Sequence, residues 1–183
     1  PEDLRRIEAI VTVALILLIG ALLAVPALLT LGMPFHAAFF ESMSGVTTTG
    51  HSVASGTQDW PFAAHFLRAW LQWCGGLVMA TAVLALLIPA GVPAQRLGRA
   101  GIDQGDRIAS TRVKARQLLT VYLGLTVMMA LPTMLIIPDW REGLALTLSA
   151  ISTAGFAPRP DSLASYSAAG QGIVMLTCVL GSV

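Results

Sequence analysis

Two short segments hold the residues with chemistry to offer. They are Thr47-Thr48-Thr49-Gly50 and Ser152-Thr153-Ala154-Gly155. Each is a run of small, mostly hydroxyl-bearing residues that ends in glycine. Each follows a short apolar, helix-compatible stretch, about 35–46 and about 141–151. Successive carbonyls in an extended loop can replace the water around a dehydrated cation. Glycine allows backbone angles that put carbonyls on one side without a Cβ clash. A half-helix running inward from outside points its C-terminus, with roughly −0.5 charge, at the membrane centre, which favours a cation. Such a device suits a small alkali cation and needs no charged side chain.

Other chemistries find little support. No His, Cys and Asp residues share a metal-ligand spacing, and no Ser/His/Asp set has the strand–turn–helix context of a nucleophile, so the chain does not read as an enzyme. The glycines of GRAGIDQGD do not follow a strand, which argues against a nucleotide fingerprint. Cys74 and Cys178 sit in apolar runs without zinc or redox spacing and read as buried, inert thiols. Glu41 lies in the first half-helix. An acid at membrane depth is costly unless paired, so its expected role is to bond a neighbouring loop rather than to draw cations in; Arg68 is a plausible partner for it or for a helix end. His36 and His65 read as interfacial packing residues.

The composition says what must position these segments. Of 183 residues, 55% are hydrophobic and 11% charged, where soluble domains run near 25% charged; the mean hydropathy is +0.74. A net charge of +1 calls for no polyanion and no nucleic acid. An all-α integral membrane protein is expected. Spans are predicted at about 7–31, 62–89 and 118–138, with the start of another from Ala168. The stretches 35–46 and 141–151 are too short to cross a bilayer and read as re-entrant. Trp60, Trp70 and Trp73 suggest an interfacial belt, and Gly75-Gly76 a bend or close-packing point. Six of the eleven basic residues lie in 91–117, which places that loop in the cytoplasm and the Thr/Gly segments outside. The ordinary orientation signal accounts for this charge, although contact with anionic lipid or a cytoplasmic regulator is a second use for it.

The chain repeats itself. Ser44 aligns with Ser149, Thr48 with Thr153 and Gly50 with Gly155, at one offset of 105 residues and without a gap. The unit is span, half-helix, Gly-containing loop, span, twice in the same orientation. Residues 1–92 form the first unit, 93–116 a basic cytoplasmic linker, and 117–183 a second unit whose last span is cut short. The start at Pro1 and the stop inside IVMLTCVLGSV suggest an internal piece of a longer protein.

HAAFFESMSGVTTTGHS, followed by FLRAWLQWCGG, resembles the first M1–P–M2 repeat of the TrkH/KtrB potassium transport family, relatives of the Trk/HKT transporters, and LTLSAISTAGFAPRPDS resembles the second. The resemblance implies a potassium-channel-like architecture with re-entrant pore helices. By resemblance, the backbone carbonyls of Thr48, Thr49 and Gly50, with His51 beyond them, form one wall of a selectivity filter. Thr153, Ala154, Gly155 and Phe156 form a second wall, and Thr47 and Ser152 close the inner ends. The ion implied is potassium, because sodium-passing relatives often carry Ser where this chain has Gly50. His51 departs from the family pattern and puts a titratable group at the outer mouth. The resemblance further implies a multi-pass protein of the cell (inner) membrane, contact with membrane lipid, a homodimer, a cytoplasmic nucleotide-binding regulatory subunit and no cofactor beyond the transported ion. The rival readings are another cation transporter, sodium-permeable or ion-coupled, and a membrane assembly module without transport.

Overall fold

The structure, a computed structural model, describes residues 2–87 and 104–182. Six α-helices are described: α1 (Glu2–Leu29), α2 (Phe35–Val46), α3 (Phe62–Leu87), α4 (Gln104–Ile136), α5 (Trp140–Ile151) and α6 (Ala168–Gly181), with a single 3-10 turn at Thr57–Asp59. Among the described residues there is no strand. The sequence-predicted linker at 93–103 and the end of the second span lie outside the described residues. Residues 104–116, read above as part of the basic connection, are helical and run without a break into the span. At 33 residues and 1.5 Å rise each, α4 is about 50 Å long, well over a ~30 Å hydrocarbon core.

Local sequence explains the ends. Pro34 is extended ahead of α2, where a missing N–H costs nothing. Asp139 caps α5 by accepting from the Arg141 N–H at 2.9 Å, and Ser167 caps α6 by accepting from Gly170 N–H at 3.2 Å. Ile7–Leu29 and Val113–Ile136 are each apolar and long enough to cross a membrane.

The helices pack as two three-helix units. In the first, α1, α2 and α3 touch one another; in the second, α4, α5 and α6 do. The units join where α3 lies along α5 and α4. Ala69, Trp73, Tyr122, Ala145, Leu148 and Ile151 form the core of that junction. Trp73 belongs here rather than in an interfacial belt: it is buried, donates from Nε1 to Thr126 Oγ1 at 3.0 Å, and its carbonyl accepts from the Tyr122 hydroxyl at 3.0 Å. An indole with a partner for its N–H can be buried without loss. Cys74 and Cys178 are half-buried, not enclosed.

Glycines let α3 and α6 close on the ends of α2 and α5. Gly75 of α3 sits against the carbonyl of Val46, the last residue of α2. Gly181 of α6 does the same to Ile151, the last residue of α5. A Cβ at either position would overlap the carbonyl oxygen. The pair is one packing device used twice, and α3 passes through Gly75-Gly76 as continuous helix.

Gly75→Ala and Gly181→Ala should therefore each destabilise the fold by about 1–3 kcal/mol or more, read as a lower thermal midpoint in detergent. Gly124→Ala, with open space around it, should leave the midpoint unchanged. Equal effects at all three positions would contradict the packing role.

Candidate functional site

The site begins where α2 and α5 stop. Thr47 closes α2 at φ −85°, ψ 3°, and Ser152 closes α5 at φ −82°, ψ 3°. The next residue in each is a threonine at positive φ, Thr48 at 57° and Thr153 at 53°. Thr48 N–H then donates to Gly45 O at 3.0 Å and Thr49 N–H to Ser44 O at 3.0 Å. In the second unit Thr153 N–H donates to Ala150 O at 2.9 Å and Ala154 N–H to Ser149 O at 3.1 Å. Both helices thus end in a Schellman motif, with a β-branched residue at the position that normally takes glycine. Left-handed backbone is unfavourable for threonine, so the surrounding bonds must impose it.

Beyond the caps, both loops are pinned by the same serine position. Gly50 N–H points at Ser44 O at 3.4 Å, and Ser44 Oγ donates to His51 O at 2.6 Å. Gly155 N–H donates to Ser149 Oγ at 3.2 Å. The N–H groups of 48–50 and 153–155 are all directed back at α2 and α5. Their carbonyls are not: among the described residues no donor bonds the carbonyl of Thr48, Thr49, Gly50, Thr153, Ala154 or Gly155. Thr49, Thr153 and Gly155 are exposed and Thr48, Gly50 and Ala154 half-buried, so these six carbonyls are open to a partner from outside the two units.

The two loops lie side by side. A Cβ on Gly50, whose φ is 77°, would come within 2.7 Å of Ala154 O and 3.2 Å of Gly155 Cα. Gly155, at φ 142°, faces Gly50 Cα. Thr47 and Ser152 turn their hydroxyls onto helix carbonyls, Met43 O at 2.8 Å and Leu148 O at 3.1 Å. Thr47 Oγ1 also lies 2.8 Å from Thr49 Oγ1. The His51 side chain is exposed and its carbonyl is taken by Ser44, whereas the Phe156 ring is buried behind the first loop.

Behind the loops, Glu41 is fully buried and fully bonded. It pairs with Arg68 Nη2 at 2.7 Å, and accepts from Ser52 Oγ at 2.8 Å and Val53 N–H at 3.0 Å. It therefore ties the half-helix to the chain leaving the first loop. His65 is half-buried near Trp60, and His36 is exposed. At the rim of the second unit, Glu142 pairs with Arg159 at 2.9 Å and accepts from the Tyr166 hydroxyl at 2.9 Å. Bonding to Glu142 raises the Arg159 pKa further, and burial with the same bond pushes the Tyr166 phenol up. A cleft of about 550 Å³ opens there, lined by residues that include His65, Asp139, Glu142 and Arg159. It contains none of the loop residues. Among the described residues no three His, Cys, Asp or Glu side chains could share a metal ion.

Comparison with known proteins decides the family. The sequence profile of the TrkH family, described as cation transport proteins, matches residues 8–183. The chain belongs to the TrkH family. The Trk system potassium uptake protein TrkH of Vibrio parahaemolyticus is 31% identical over 150 residues, covering 78% of this chain and 30% of that protein. Its Escherichia coli K12 counterpart is 33% identical over 136 residues, covering 70% and 28%. The crystal structure of the potassium transporter TrkH from Vibrio parahaemolyticus matches with a TM-score of 0.65 at 31% identity, covering 79% of this chain and 29% of that one. The chain thus spans under a third of the length of these TrkH relatives.

Sequence reasoning put the special backbone at Gly50 and Gly155. It missed the positive φ of Thr48 and Thr153, which no residue type signals, and the role of Ser44 and Ser149, which the gapless repeat could have flagged. It paired Arg68 with Glu41, as found, but missed the reach of Arg68 to the Phe156 ring.

Glu41→Gln leaves the Arg68 charge buried without its counter-ion, a loss of about 3–5 kcal/mol. The variant should show a marked fall in thermal midpoint in detergent; a midpoint like the parent's would contradict the ion pair.

Proposed function

We propose that this chain supplies two adjoining walls of a potassium-selective pore in a cell-membrane potassium uptake protein. The observation that carries the reading is the contact of the Gly50 and Gly155 loops, with six neighbouring carbonyls free of protein donors. A potassium ion shedding water at the outer face would bind the carbonyls of Thr48, Thr49, Gly50, Thr153, Ala154 and Gly155 in place of its hydration shell, then pass inward down its electrochemical gradient. Thr47 and Ser152 stand at the inner ends of the two walls, and His51 and Phe156 at the outer ends. The names of the relatives, potassium uptake proteins, support potassium as the ion.

The remaining walls would come from beyond these two units, in the intact protein or in a second copy. The filter loops would face outside and the basic segment 91–117 the cytoplasm, by the positive-inside bias. A homodimer and a cytoplasmic nucleotide-binding regulatory subunit extend the same family reading. Two features favour this over a transporter with broken spans: the irregular backbone lies between the spans, and among the described residues no acidic or amide side chain bonds into the loops.

The test is Gly50→Ser in the intact protein, expressed in cells without other potassium uptake. A Cβ at φ 77° would press on the Ala154 carbonyl, so the potassium-to-sodium uptake ratio should fall. An unchanged ratio, with the protein present in the membrane, would remove Gly50 from the filter. His51→Ala should leave uptake near the parent's, because the His51 side chain is exposed; loss of uptake would show that His51 matters to conduction.

A further inference from the structure

We propose that Arg68 is a positioning residue that holds the outer ends of both filter loops in register; the proposal rests on the filter reading above. Arg68 is on α3, 3% exposed, and touches neither a loop carbonyl nor the ion path. It acts through four neighbours. Nη2 pairs with Glu41 of the first half-helix at 2.7 Å and donates to Ser52 Oγ, just past the first loop, at 3.1 Å. The guanidinium sits over the Phe156 ring, at the end of the second loop, with 4.2 Å from Cζ to the centroid. Trp60, ahead of α3, lies on it at 5.5 Å. One rigid cation therefore joins the exit of loop one to the exit of loop two. The same Phe156 ring approaches Gly45, next to the first cap, with 3.3 Å to a Cβ built there, so a shift of Phe156 would press on the start of loop one.

The second unit shows that an ion pair is not needed to hold a half-helix. Counted from the packed glycines Gly75 and Gly181, Arg68 corresponds to Val174; by the 105-residue offset, Glu41 corresponds to Leu146. Leu146 and Val174 lie in one apolar cluster with Ile137 and Tyr166. The unit folds with an apolar pair where the first has a buried charge pair. Buried ion pairs add little net stability over apolar packing. What the apolar pair lacks is reach: it has no planar cation to stack on a ring and no donor for a serine. The charge at Arg68 is thus accounted for by the link between loops.

The test reads ion selectivity in the intact protein, alongside membrane abundance. Glu41→Leu with Arg68→Met together replace the pair by apolar side chains of similar volume. Phe156→Leu leaves the ion pair intact and removes only the stacked ring. Each should lower the potassium-to-sodium permeability ratio by up to roughly thirtyfold, the size of one desolvated cation–π contact. Phe156→Leu should add little in the double-variant background, because both remove the same link. Arg68→Lys keeps the charge but not the plane, and should also lower the ratio. Parent-like ratios in Phe156→Leu and Arg68→Lys would overturn the proposal. If Gly50→Ser lowers the ratio while these do not, the filter stands and the link falls. If Gly50→Ser is also silent, the filter reading fails first and takes the link with it.

Discussion

The structure depends on how the backbone polar groups of the two loops are divided between those bonded to the half-helices and those left free. Non-helical backbone at membrane depth must satisfy its N–H groups within the protein. In both loops it does so by sending them back to the half-helix: to Ser44 and Gly45 in one, to Ser149 and Ala150 in the other. That forces the carbonyls to the opposite side. A loop that satisfied both its donors and its acceptors internally would have nothing to offer a cation. The Schellman ends of α2 and α5 are therefore more than caps. They set the direction of the first carbonyls of each loop, and the strained φ of Thr48 and Thr153 is the cost of that direction.

The two units meet the same backbone requirement with different side chains. The serine at the third residue from each helix end, the threonine at positive φ and the glycine two residues on are shared. So is the following helix that lays a glycine on the last half-helix carbonyl. Around this frame the supports diverge. The first unit anchors its half-helix with Glu41 and Arg68, and the second with an apolar cluster inside and the Glu142–Arg159–Tyr166 set at its rim. The backbone geometry is repeated, and the side chains around it are not.

Much of this was legible in sequence for physical reasons. Apolar runs with few charges reveal helices that face lipid or one another, and the helix of twelve residues between Pro34 and the threonine run is too short to span. The repeat offset brings out the paired loops because backbone geometry constrains small residues strongly. Hydropathy could not show that 104–116 is helical, because a charged helix outside the hydrocarbon looks like a polar connection. Nor could it move Trp73 from an interface to the core, since that depends on Thr126 and Tyr122 meeting it from another helix. The same limit hid the stacking of Arg68 on Phe156, 88 residues apart.

The most direct test of the central claim is anomalous scattering from crystals of the intact protein grown with thallium, a heavy stand-in for potassium. The account predicts anomalous density beside the carbonyls of Thr49, Gly50, Ala154 and Gly155, between the two loops and the walls that face them. Bound thallium elsewhere in the protein, with none at these carbonyls, would contradict it.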